Sequence, residues 1–249
     1  MKKETVCAVV VTYNRKDMLV QCVNSLLRQT RRLDAIYIID NFSNDGTPKV
    51  LLEEGIISDQ PPKRLNKPFE HENNILGDNN GNTIKIVYIR MVENTGGAGG
   101  FYEGVKRAYE TGYEWLWLMD DDVDPKENGV EIIFNYTHIS KCIQPSRCDA
   151  RGKRIFWGGQ ISEESGFFLR HDDEFTKYKD WICVNMGCFE GMFLHRDVVA
   201  RIGYPDRRFF SIFDDTLYGY MASKVANMIY ICLLYTSDAA DELDGVDLG

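Results

Sequence analysis

The 249 residues carry 29 Lys and Arg against 38 Asp and Glu, a net charge of −9, in a composition that is 44% hydrophobic and 27% charged. That length supports one large α/β domain with a sizeable core, and the acidic balance speaks against a general nucleic-acid binder, which carries a basic excess. Seven scattered cysteines, with no CxxC pair and no histidine at ligand spacing, argue against zinc and for reduced, partly buried thiols in a cytoplasmic setting.

Residues 5–13, TVCAVVVTY, form a continuous apolar, β-branched run, the pattern of a strand buried on both faces of a parallel sheet. Its core, Val6 to Val11, follows two lysines but is shorter than a signal-peptide core and leads straight into TYNR, so it reads as a strand. Met18, Leu19, Cys22, Val23, Leu26 and Leu27 then recur at helical spacing over 16–29. A second strand, AIYIID (35–40), ends in the turn-rich NFSNDGT, and a helix over about 47–55 follows. Residues 59–83 are polar and rich in Pro, Asn and Gly, and read as a long exposed insertion. IKIVYIR (84–90) is a third strand; NTGGAGG, a helix over about 101–111 and the strand YEWLWLM come next.

Alternating strands and helices predict an α/β fold: a mostly parallel central sheet with right-handed crossovers and helices on both faces. Beyond Pro125 the pattern weakens. GVEIIFNYTHISKCI (129–143) reads as helical; RIFWGGQIS, ESGFFLRH and ICVNMGCFEGMFLHR read as strands or hairpin pieces; DVVARIG (197–203) reads as a helix opened by an aspartate cap and closed by Gly203. No segment approaches the roughly 18 apolar residues that span a membrane, which leaves surface association compatible.

In a parallel sheet, ligands bind beyond the carboxyl ends of the strands. Thr12 to Arg15, Asp40 with Asn41, Asn94 to Gly100 and Asp120 to Asp122 each follow a strand, so these four polar clusters gather along one edge. Crowded carboxylates raise one another's pKa unless a cation neutralises them. Hard Mg²⁺ or Mn²⁺ suits such oxygen ligands together with substrate phosphates; the plain alternative is a solvated acidic turn. The glycines of NTGGAGGFYEG let a backbone come close to a ligand at a helix N-terminus, or make a tight turn. A dinucleotide fingerprint from Gly97 fails at Tyr102, and no GK[ST] is present. Asp40 suits a nucleobase N–H or ribose hydroxyls, or a turn with Ser43, Asn44 and Gly46. Asp214 and Asp215, in an aromatic setting, suit a helix N-cap, or a general base whose pKa an apolar wall raises. Histidines 71, 138, 171 and 195 are isolated and read as structural or exposed.

Taken in order, VVVTYNR, IIDNFSNDGT, ENTGGAGGFYEG, WLWLMDDDVDP, FEGMFLHRDVVARIGYPDRRFF and FDDTLYGY resemble the family 2 glycosyltransferases, whose nucleotide-sugar-binding fold is called GT-A. The resemblance runs from about residue 5 to 231, and its glycine and aspartate motifs look most like the galactofuranosyl- and rhamnosyltransferase-like branch. It implies a metal-dependent, inverting transfer of a sugar from a UDP or dTDP donor to the hydroxyl of a glycan or lipid-linked acceptor, in cell-surface polysaccharide or glycolipid synthesis. The cofactor implied is Mn²⁺ or Mg²⁺. The implied setting is the cytoplasm, compatible with peripheral association at the inner face of the plasma membrane. Thr12, Tyr13, Arg15 and Asp40 would line the nucleoside pocket, and Asn94, Gly96 and Gly97 would approach the donor. Asp120 and Asp122 match the outer positions of the family's DxD motif: Asp122 would hold the metal, Asp120 would sit near ribose or metal, and Asp121 between them would face substrate. Asp215 is the better match to the catalytic base, with Asp214 beside it.

Two other functions fit parts of the pattern. A sugar nucleotidyltransferase also uses carboxylate-bound Mg²⁺, yet TYNRKD lacks the glycine-rich loop expected after its first strand. A nucleotide-sugar-binding module without turnover is the other. Residues 232–242, CLLYTSDAADE, resemble a translated sequencing adapter, so 1–231 are expected to form one truncated GT-A domain and 232–249 a non-native tail. The family's late metal-ligating histidine has no counterpart in this sequence.

Overall fold

The computed structural model of the chain describes residues 4–76, 83–148, 154–155, 159–166, 168–170, 180–231 and 236–237. The first half runs β1 (Val6–Thr12), α1 (Lys16–Leu27), β2 (Ala35–Asp40), α2 (Thr47–Glu53), β3 (Phe69–Leu76), β4 (Thr83–Arg90), α3 (Gly96–Thr111) and β5 (Trp115–Asp120). Next come β6 (Val123–Asp124), α4 (Gly129–Phe134), β7 (Cys142–Pro145), β8 (Arg147–Cys148), β9 (Arg154–Ile155), β10 (Gly159–Ile161) and β11 (Phe168–Arg170). The last elements are β12 (Trp181–Cys183), β13 (Met192–His195), α5 (Arg196–Ile202), α6 (Asp214–Ala226), β14 (Ile229–Ile231) and β15 (Thr236–Ser237).

Nine strands form one sheet in the order β12-β14-β7-β13-β5-β1-β2-β4-β3. The unbroken apolar runs of β1, β2 and β5 are explained by two cores, one on each face. Val6, Ala8, Val10, Ile36, Ile38, Trp115 and Trp117 pack on one side with Leu19, Cys22, Val23 and Leu26 of α1. Cys7, Val9, Val11, Tyr37, Ile39, Leu116 and Leu118 pack on the other with Phe101, Val105 and Ala108 of α3. Side chains alternate faces along a strand, so a strand covered on both sides is apolar at every position. Each fully buried Val, Leu or Ile contributes about 1.5–3 kcal/mol. These strands are therefore firmly placed, and their ends are fixed with them.

β5, β1, β2 and β4 are mutually parallel, with Thr12 opposite Asp40, Val11 opposite Asp120, and Asp40 opposite Arg90. That register gathers the ends of four strands on one edge, as the alternation predicts. The rest makes the sheet mixed: β3 runs antiparallel to β4, β13 antiparallel to β5 and β7, β14 parallel to β7, and β12 antiparallel to β14.

Several boundaries differ from the sequence expectation. The insertion contains the edge strand β3, which alternates half-buried with exposed residues; one half-buried face of Phe69, His71, Asn73 and Ile75 is too polar to read as a strand. The helix expected over 129–143 stops at Phe134. Its later residues turn, with Ser140 Oγ accepting from the Cys142 amide at 2.9 Å, and Cys142 and Ile143 enter the sheet. The cap of α5 is His195, whose Nδ1 accepts from the Asp197 amide at 3.2 Å, while Asp197 sits in the first turn. Gly203 closes it at φ 78°. Among the described cysteines, Cys7, Cys22, Cys142, Cys148 and Cys188 are free and buried, and Cys183 is free and exposed. His171 and most of the 232–249 tail lie outside the described residues; Thr236 and Ser237 pair with β6 and β8.

α3 begins at Gly96, five residues before the expected start, so the glycine run is the helix's first turns. A Cβ on Gly100 would stand 2.5 Å from Val11 Cγ1, and one on Gly104 would stand 2.3 Å from Val9 Cγ1. Four residues apart, the two glycines share a face. They bring α3 down onto β1 and its N-terminus beside the strand ends.

Candidate functional site

The aspartates after β5 are held from β1 across the parallel register. Thr12 Oγ1 donates to Asp121 Oδ2 at 2.6 Å, and Arg15 Nη1 lies 2.9 Å from Asp122 Oδ2 and 3.7 Å from Asp121 Oδ1. Burial pushes the Asp121 carboxyl up to about 7, with the Thr12 hydrogen bond and Arg15 opposing. Asp120 is raised well above the usual carboxylate range, first by burial and then by the charges of Asp122, Asp121 and Asp215. The strand-end negative charge is thus unfavourable as it stands and answered in part by one guanidinium.

Several expected site residues carry the hydrogen bonds that build the edge. Thr12 is buried and spends its hydroxyl on Asp121, and Asp121 is itself only 3% exposed. Arg15, expected in the nucleoside pocket, is drawn to the aspartates by their charge. Asp40 is 0% exposed and accepts from Tyr88 Oη at 2.6 Å, Arg90 Nη1 at 2.5 Å and the Ser43 amide at 2.7 Å. Its carboxylate ties β4 to the loop after β2. Gly96 has φ 72°, and a Cβ there would fall 1.8 Å from the carbonyl oxygen of Phe210. The 207–213 loop thus packs directly on the Gly96 backbone. Asn94 Oδ1 accepts from the Gly96 amide at 2.9 Å and holds that turn. Tyr13 is 43% exposed, and nothing lies within 4 Å of a Cβ on Gly97, so these two remain open to a ligand.

The second acidic pair opens α6. Ile212 and Phe213 precede it at φ 71° and 68°. A β-branched residue with positive φ is a genuine outlier, and such strain persists where surrounding structure fixes it. Asn14 and Phe42, after β1 and β2, also have positive φ, so four of five such residues border this edge. Asp215 is raised by burial, against the amide and hydroxyl of Thr216 and the charge of Arg147; Asp214 is raised by burial and by Asp215. Because Asp215 acts on Asp120, the structure brings together two acidic groups nearly a hundred residues apart.

Arg147 and Glu190 were not anticipated. They form an ion pair between buried Arg147 and half-buried Glu190, and Arg147 and Asp215 both act on the Cys188 thiol, which burial pushes up to about 12. Glu190 stands inside the motif FEGMF, but no spacing singles it out. Arg147 sits in PSRCD, a segment without pattern.

Do these residues suit a hard cation? Asp122 Oδ1 is buried without a hydrogen-bond partner, and Asp120 and Asp122 offer only oxygen. No group of three or more His, Cys, Asp and Glu suited to a metal gathers among the described residues. Asp120 and Asp122 match the one or two carboxylates that a hard ion such as Mg²⁺ or Mn²⁺ takes beside phosphate and water.

A sheet of this topology, with carboxylates crowded at the ends of its parallel strands, defines the GT-A class. Solved structures agree at the level of fold. S. aureus TarS in complex with UDP-GlcNAc superposes with a TM-score of 0.65 over 97% of this chain and 61% of that one, at 13% identity. GalNAc-T7 with UDP, GalNAc and Mn²⁺ gives 0.65 over 94% and 43%, at 16% identity.

Residues 7–71 match the family model Glycosyl transferase family 2. The galactofuranosyltransferase GlfT1 of Mycolicibacterium smegmatis is 27% identical over 219 residues, 83% of this chain and 61% of that protein. Its namesake in Mycobacterium tuberculosis is 34% identical over 119 residues, 48% and 31%. The family 2 glycosyltransferase match is thus confined to residues 7–71, and the chain spans less than two thirds of the curated relatives it matches.

Proposed function

We propose that the chain transfers a sugar from a nucleoside diphosphate donor to an acceptor hydroxyl, with inversion at the anomeric carbon. The observation that carries this reading is Asp215, half-buried in the first turn of α6, whose charge reaches the strand-end aspartate Asp120. In a single displacement the acceptor oxygen bonds to the anomeric carbon as the bond to the phosphate oxygen breaks. The diphosphate leaves with the bonding electrons, and Asp215 takes the acceptor's proton. Burial raises that carboxyl toward a general base's working range. When bound, Mn²⁺ or Mg²⁺ offsets charge on the departing diphosphate, and Asp120 with Asp122 are the residues to hold it.

Thr12 fixes Asp121 and through it the turn that carries both neighbours. Arg15 sets a permanent positive charge beside the phosphate position. Tyr13 offers an exposed ring to the nucleoside, and Gly97 an open backbone to the donor. The relatives named galactofuranosyltransferase favour galactofuranose as the sugar and the UDP-GlcNAc complex of TarS favours a UDP-linked donor; a dTDP-linked rhamnose donor is the second choice, and a glycan or lipid-linked hydroxyl is the acceptor that completes the reading. No helix among the described residues is long and apolar enough to cross a membrane. A cytoplasmic enzyme with peripheral contact to the inner membrane face fits this reading.

Thermal-shift titration of the chain with UDP and with dTDP, with and without Mn²⁺, tests it. A ligand that binds only the folded state adds about 2.7 kcal/mol at a hundredfold excess over its Kd. A metal-dependent rise with one nucleotide is expected and names the donor class. A cooperative melt that neither nucleotide moves would sink the donor site. A nucleotide shift without release of nucleoside diphosphate from the matching sugar donor would leave a binding module.

A further inference from the structure

Neighbouring residues of a helix point about 100° apart, and the acidic pair of α6 uses that divergence. Asp214 lines a cavity of about 640 Å³ that Asp215 does not line. The cavity lies between Tyr102 of α3, the loop carrying Tyr204 and Arg207, and Leu217 and Met221 of α6. Its size is that of a small-molecule site, about 300–1,000 Å³.

The lining has a definite chemistry. The rings of Tyr102 and Tyr204 meet at 88° with centroids 5.7 Å apart, forming a two-sided aromatic corner. Arg207 is exposed, and its guanidinium stands 5.1 Å from the Tyr102 centroid. The neighbouring Arg208 is committed, its Nε and Nη2 donating to both oxygens of Asp206 at 2.5–3.0 Å. Arg207 has no carboxylate at ion-pair distance among the described residues. Aromatic faces suit the apolar face of a sugar ring, a guanidinium fork suits phosphate, and a carboxylate suits hydroxyls. Leu217 and Met221 line the cavity and are also exposed, giving it an apolar lip.

We propose that this cavity is the acceptor subsite and that it takes a saccharide bearing a phosphate. The ring lies on Tyr102 and Tyr204, the phosphate on Arg207, and Asp214 orders the hydroxyls at the end nearest Asp215. The proposal rests on the glycosyltransferase reading above. A free sugar phosphate and the phosphosugar head of a lipid present the same chemistry; the apolar lip distinguishes them.

The test is calorimetric titration of the chain, with UDP and Mn²⁺ saturating the donor site, using glucose 1-phosphate as probe and methyl glucoside and inorganic phosphate as its separate halves. Glucose 1-phosphate is expected to bind with a Kd of about 1 mM and more tightly than either half. Arg207→Gln should weaken it about tenfold, and Tyr102→Ala should weaken methyl glucoside as well. UDP affinity should be unchanged in both variants, which also shows that they fold. No saturable binding by about 10 mM, or equal binding in Arg207→Gln, would overturn the subsite. Repeating the titration without nucleotide separates the two readings, because loss of UDP binding alone strikes the donor site and leaves the Arg207 comparison standing. Polyprenyl phosphoglucose in detergent micelles that binds about tenfold tighter than the soluble probe, with the gain lost in Leu217→Ser, assigns a lipid source; equal affinity assigns a free one.

Discussion

The aspartates that close β5 and those that open α6 are the same side chains held by opposite means. At β5 the charge is met by side chains from far along the chain: Thr12 binds Asp121 and Arg15 binds Asp122, over 107 to 109 residues of sequence. At α6 it is met locally by the amide and hydroxyl of Thr216 and by the positive end of a helix, after a loop strained at Ile212 and Phe213. The first cluster leaves a buried oxygen, Asp122 Oδ1, without a partner; the second leaves a raised carboxyl beside an apolar loop. An unfilled acceptor suits a cation, and a raised carboxyl suits a proton.

The largest effect that can break this contrast is on turnover. Asp215→Asn removes the proton acceptor and should lower the rate of UDP-sugar transfer about 10²–10⁴-fold while leaving UDP and Mn²⁺ binding intact. A matching loss of nucleotide affinity would instead place Asp215 with the strand-end cluster. Asp122→Asn should do the reverse, weakening Mn²⁺-dependent UDP binding by about a hundredfold or more. Isothermal titration that shows unchanged metal dependence would remove Asp122 from the cation site.

Glycine substitutions sharpen the comparison on the stability side. Gly100→Ala drives a Cβ toward Val11 Cγ1 and Asn41 Nδ2 and should cost about 1–3 kcal/mol by urea denaturation. Gly97→Ala meets nothing within 4 Å and should hold or gain stability by less than about 1 kcal/mol, yet lose UDP-sugar affinity where the donor needs its bare backbone. If both variants keep full affinity, the glycine run serves packing alone.

A pH dependence sharpens the strand-end side of the comparison. Asp121 has its carboxyl raised to about 7 in the folded chain, against about 3.9 unfolded. Between those values the folded state binds the extra proton, so stability falls as pH rises from about 4 to 7 and is flat above. Melting of chelator-treated protein across that range should show the slope, and Asp121→Asn should flatten it. An unaltered slope in the variant would assign the titration to Asp120 or the α6 pair.

The parallel half was legible because its strands are buried on both faces. A strand with no solvent face is apolar throughout, so β1, β2, β4 and β5 stand out, and the polar residues ending them mark the edge. β3 was not legible, since an edge strand pays no penalty for Glu70, Glu72 and Asn74 facing water. α4 was extended too far because Ile132, Tyr136 and Ile139 continue its spacing, whereas Cys142 and Ile143 are claimed by β13. Thr12 and Asp40 stand at the strand ends that the alternation marks, but their bonds to Asp121 and to Tyr88 and Arg90 were not legible, as a one-dimensional pattern does not show which polar group a neighbouring strand will satisfy.

By itself the sequence determined the alternation of buried strands and helices, the edge where polar residues collect, and the two acidic pairs as the chemical groups of interest. Only the tertiary structure decided which of those groups is spent on the fold and which is left open. Asp40 is satisfied by Tyr88 and Arg90, Asp121 by Thr12, and Gly96 by Phe210, while Asp122 Oδ1, Gly97 and Arg207 are not. Burial and hydrogen-bond satisfaction depend on partners brought in from distant positions, and no local run of residues encodes them.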